Sequence, residues 1–73
     1  MIRLQVVSRV MGNIWDILVN EGEKVDAGQT VVVLEAMKME YAITTPSAGI
    51  VKAIAVERSQ LAEQGTTLVV VEV

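Results

Sequence analysis

The chain has 73 residues, 52% of them hydrophobic, a formal net charge of −3, and neither cysteine nor histidine. Disulfides, thiolate metal sites and the commonest general base are excluded. An acidic chain with one Trp, one Tyr and no Phe also lacks the basic, ring-bearing face that nucleic-acid binding requires.

The length indicates one domain over residues 1–73, held together by apolar packing alone. No apolar run reaches the length of a membrane span. The opening Met1-Ile2-Arg3-Leu4-Gln5-Val6 lacks the long apolar core of a signal peptide. A cytoplasmic location, or an equivalent matrix compartment, is therefore expected.

In chain order, Leu4 to Val7 reads as a first strand, and Ile14, Ile17 and Val19 fall in a second. Asn20 to Lys24 reads as a turn, Val25 as a short strand or bridge, and Asp26 to Gln29 as another turn. Thr30 to Ala36 and Met39 to Thr44 are the strongest strands; Thr45-Pro46-Ser47-Ala48-Gly49 breaks the chain. Ile50 to Val56 and Thr67 to Val73 complete the set, with a polar stretch around Leu61 between them. The run Val31-Val32-Val33-Leu34 is apolar on both faces, so periodicity assigns it no inward side.

The sequence repeats on itself at a constant offset of 37. Gly12 maps to Gly49, Ile14 to Val51, Ile17 to Ile54, Val19 to Val56, Gly28 to Gly65, Thr30 to Thr67 and Glu35 to Glu72. Each half alone would leave one apolar face uncovered, so two similar strand sets must pack about a pseudo-twofold axis. The image of Lys38 falls past the C-terminus. The Met37-Lys38 turn is therefore expected at one end of the body and both termini at the other.

The segment Glu35-Ala36-Met37-Lys38-Met39-Glu40 joins the two strongest strands. With Met37 and Lys38 as a two-residue loop, Ala36 faces Met39 and Glu35 faces Glu40. Such loops favour positive φ and usually carry Asn or Gly, and opposed carboxylates repel. Two local rules broken at one hairpin point to a functional site. The hairpin offers one exposed lysine that can be acylated, adaptable apolar surface from Met37 and Met39, and an acidic handle from Glu35 and Glu40. Met39 is expected to be partly core, sharing a face with Tyr41 and Ile43. Trp15 is expected to cover the sheet, and the glycines to be structural.

Glu35-Ala36-Met37-Lys38-Met39 resembles the attachment motif of the biotin carboxyl carrier family, and the resemblance covers essentially the whole chain. Gly12-Asn13-Ile14-Trp15 resembles that family's early glycine turn, Glu21-Gly22-Glu23-Lys24-Val25 with Gly28-Gln29 its second turn region, and Pro46, Gly49 and Val51-Lys52 the break after the hairpin. The resemblance implies an all-β fold: a flattened barrel of two four-stranded antiparallel sheets with the modified lysine on a tight hairpin. It implies biotin in amide linkage to Lys38, with Ala36, Met37 and Met39 beside it. A separate biotin–protein ligase would attach it, with Glu35 and Glu40 as recognition residues. Biotin carboxylase and carboxyltransferase components would then use the cofactor in turn. The chain departs from the pattern in carrying Arg9-Val10-Met11 where many members have a proline before the early glycine. Ser59 stands as the repeat partner of Gly22, and the short Asn20–Lys24 connection leaves no room for an inserted loop.

No nucleophile–base pair, phosphate-cradling loop or metal-ligand set is visible, so a carrier rather than an enzyme is expected, monomeric in isolation, as a free-standing protein or one domain of a larger one. Two other readings compete. One is a lipoyl carrier of the same fold, serving a 2-oxoacid dehydrogenase or glycine-cleavage system and disfavoured by Met on both sides of the lysine. The other is an assembly module that leaves Lys38 unmodified and pairs through its strand edges.

Overall fold

A computed structural model describes residues 2–73. Eight strands follow one another: β1 Arg3–Val7, β2 Gly12–Ile17, β3 Lys24–Val25, β4 Thr30–Ala36, β5 Met39–Thr44, β6 Gly49–Ile54, β7 Leu61–Ala62 and β8 Thr67–Glu72. They form two four-stranded antiparallel sheets, ordered β1-β8-β6-β3 and β5-β4-β2-β7. The flattened barrel of the expectation thus takes the form of two facing ladders. Val and Ile supply most of the strand positions, because a β-branched side chain packs well on a pleated surface.

The repeat in the sequence is a repeat in space. β2 and β6, and β3 and β7, begin and end 37 residues apart. The core follows the same rule. Its fourteen buried apolar residues fall into seven pairs: Val6 with Ile43, Ile14 with Val51, Val19 with Val56, Val25 with Ala62, Val31 with Leu68, Val32 with Val69, and Leu34 with Val71. The two buried polar residues, Ser8 and Thr45, are also a pair. Each donates its hydroxyl to a carbonyl two residues on, that of Val10 for Ser8 and that of Ser47 for Thr45. Burial therefore leaves these hydroxyls satisfied.

Several expectations change at this level. The stretch around Leu61 is a short strand, β7, paired with Gly12 and Asn13 of β2. A two-residue strand is too short to show alternation, so only its repeat partner β3 could have signalled it. Val19 and Val56 are core residues but lie beyond the ends of β2 and β6. Val31 and Val32 are both fully buried because the β4–β5 register shifts between Thr30 and Val32, which turns two successive side chains inward. Ser59 has φ +70 where Gly22 has φ +87, so the serine holds the left-handed conformation its glycine counterpart adopts freely.

The body measures 36 × 17 × 17 Å. Gly12 at the start of β2 lies against Glu35 and Ala36 at the end of β4, so the β1–β2 link carries the chain to the hairpin end. β1 consequently starts at the far end, where Arg3 pairs with Glu72 and Val73 donates its N–H to the Ile2 carbonyl. The two ends of the described chain lie together, opposite the Met37–Lys38 turn.

Candidate functional site

β4 and β5 are joined by two residues. Ala36 pairs with Met39 and Glu35 with Glu40, as the spacing requires. Met37 has φ +52 and Lys38 φ +65. Both lie in the left-handed region, the backbone of a type I′ turn, whose twist matches that of the flanking strands. Neither residue favours this conformation, which costs an L-residue about 1–2 kcal/mol. The β4–β2 ladder and the core beneath it hold the turn in place, with Leu34 buried two residues before Ala36.

The tip is open. Met37 is 93% exposed, Lys38 is exposed, and no hydrogen bond or ion pair to the Lys38 amine occurs among the described residues. No cavity opens among the described residues. Gly12 braces the hairpin from below: a Cβ there would stand 2.6 Å from the Glu35 carbonyl oxygen and 3.1 Å from the Ala36 Cβ. Close backbone approach of this kind requires glycine.

The structure brings Glu35, Ala36, Met37, Lys38, Met39 and Glu40 together as one unit at the tip. It places Met39 differently from expectation. Met39 is 60% exposed rather than partly core, because it lies at the last rung before the turn, while Tyr41 and Ile43 behind it are progressively more covered. Trp15 is 56% exposed. It sits at the register shift between Ile14 and Asp16, where β2 has one more residue than β4 opposite it. Bulges leave no mark in a hydrophobicity pattern, so the sequence could not place this ring.

Replacing Met37 with asparagine, which tolerates the left-handed region better, is expected to raise stability by about 0.5–1 kcal/mol. Urea midpoints measured at a common m-value check this, and a midpoint at or below that of the unmodified sequence would mean the turn is not strained.

Known proteins resemble this chain in sequence and in fold. The model of a family described as "Biotin-requiring enzyme" matches residues 4–71. The chain is 41% identical over 63 residues to the biotin carboxyl carrier protein of acetyl-CoA carboxylase of Solanum lycopersicum, covering 86% of this chain and 90% of that one. It is 34% identical over 65 residues to the biotin/lipoyl attachment protein of Bacillus subtilis, covering 89% of each. Its fold matches part of the urea carboxylase of Kluyveromyces lactis with a TM-score of 0.93 at 26% identity, covering 99% of this chain but 6% of that one.

Proposed function

The chain belongs to the biotin-requiring family of biotin/lipoyl attachment domains, and from that premise we propose that it is a non-catalytic carrier whose Lys38 accepts biotin in amide linkage. The observation that carries this reading is the exposed Lys38 amine, without an ion-pair partner among the described residues, at the end of a two-residue turn remote from the two ends of the described chain.

The residues fit a covalently tethered group. Lys38 Nζ would hold biotin in amide linkage: its lone pair would displace, from the biotin carboxyl carbon, the activating group that a biotin–protein ligase supplies from ATP, that group would leave with the bonding electron pair, and the nitrogen would lose a proton. The lysine's positive charge disappears with amide formation. Once bound, biotin would accept carboxylate at one active site and surrender it at another. The chain's own contribution is mechanical. The stiff two-sheet body fixes where the arm begins, and the arm's length confines the attached group near both partner sites at high effective concentration. Ala36 keeps bulk away from the lysine. Met37 and Met39 give partners apolar surface that adapts to different shapes. Glu35 and Glu40 meet a basic ligase surface. The partners are the carboxylase and carboxyltransferase components of a biotin-dependent system, reached by a monomeric carrier in the cytoplasm or a matrix compartment.

Intact-mass measurement after incubation with a biotin–protein ligase, biotin and ATP tests the assignment. One biotinyl group per chain, mapped to the Lys38 peptide, is expected. Lipoylation by a lipoate ligase with no biotin uptake would transfer the chain to the lipoyl systems, and no modification by either would leave the assembly-module reading.

A further inference from the structure

The pseudo-twofold axis supplies an internal comparison for the hairpin end. At the terminal end Glu72 is flanked across the strands by two cations: Arg3 Nε lies 3.5 Å from Glu72 Oε2, and Lys52 Nζ 3.5 Å from Oε1. At the repeat offset of 37 residues, the same three places hold Glu40 for Arg3, Glu35 for Glu72 and Trp15 for Lys52. The backbone relations are the same. Glu35 pairs directly with Glu40 as Glu72 pairs with Arg3. Trp15 occupies the register shift of β2 against β4, as Lys52 does that of β6 against β8. One scaffold position thus holds a carboxylate neutralised by two cations at one end. At the other it holds two facing carboxylates, with the exposed Trp15 in the repeat position of Lys52, and neither carboxylate has an ion-pair partner among the described residues.

We propose that Trp15, Glu35 and Glu40 form a docking face for a single arginine of the biotin–protein ligase, the guanidinium taking the place that Arg3 and Lys52 fill at the other end. This rests on Lys38 being the biotin acceptor. A guanidinium matches the three groups together: its planar fork serves carboxylates and its face stacks on an indole. The face begins one residue pair from Ala36 and Met39, which flank the turn. An enzyme that acts on the Lys38 amine itself must sit over this turn, within reach of the face. An enzyme that acts on the far end of a long flexible arm need not. Trp15 is then a positioning residue for acylation.

The symmetry also designs the test. Trp15→Lys with Glu40→Arg copies the terminal network onto the hairpin end, in a backbone setting that already tolerates those side chains. The melting temperature should therefore be held or raised. Biotinylation by the ligase is followed by intact mass across carrier concentration and at two ionic strengths. The double variant is expected to raise KM about tenfold or more with kcat within about twofold, and to lose the salt dependence of the unmodified sequence. Trp15→Phe, which keeps a ring, should restore most of the affinity that Trp15→Ala loses, and Lys52→Ala at the other end should leave KM unmoved. A KM within about threefold of the unmodified chain, or an equal rise for Lys52→Ala, would overturn the docking face. Failure of the unmodified chain to take up biotin would instead overturn the acceptor assignment and this inference with it.

Discussion

Lys38→Arg is expected to abolish biotin incorporation, lowering it about a thousandfold or more while leaving the fold intact. Arginine preserves the positive charge and the long aliphatic stem at the turn, so stability should shift by less than about 0.5 kcal/mol, the usual range for an exposed position free of special contacts. What it removes is the nucleophile: a guanidinium is not deprotonated in proteins and presents no free lone pair for acylation. Intact mass after exposure to the ligase and biotin reads the outcome directly. Lys24 and Lys52 provide the control within the same molecule, since both lie in strands away from the turn. If the variant still gained one biotinyl group, Lys38 would not be the acceptor and the mechanical role of the hairpin would have to be abandoned.

Leu34→Ala is the substitution with the largest expected cost in stability, about 3–4 kcal/mol within the range for buried leucines. Leu34 is 0% exposed and pairs with Ile14 and Tyr41, in the middle of both ladders of its sheet. Its side chain cannot be replaced by movement of neighbours, because the facing sheet is equally full: Val71, its repeat partner, is also 0% exposed. A domain of this length has a total stability on the order of 4–10 kcal/mol, so the variant should be partly unfolded at modest temperature. Urea unfolding at unchanged m-value gives the number. A loss below about 1 kcal/mol would show that the two sheets do not pack as tightly as the burial implies.

Legibility in the sequence follows the length of each signal. β4 and β5 read correctly to their ends, because strands of seven and six residues with several β-branched side chains outweigh local ambiguity. The Glu35–Glu40 and Ala36–Met39 pairings then follow from counting alone. β7 is not legible, since Leu61 and Ala62 are too few to carry a period. The exposure of Trp15 and the inward turn of both Val31 and Val32 are not legible either, because each follows from a register shift and such shifts depend on how two strands meet. Met39 reads on the wrong side of the boundary between core and tip for a similar reason: alternation gives its face but not where the opposing sheet stops.

By itself, the sequence determined every strand but β7, the twofold repeat, the lysine hairpin and its register, since all of these are local patterns or spacings that survive without knowing the partners. Only the tertiary structure decided which carboxylates are neutralised and which stand open. Arg3, Lys52 and Glu72 lie far apart along the chain and meet through β1, β6 and β8 in one sheet. Charge compensation depends on separation in space, falling off over a few ångströms in a way that position along the chain does not record.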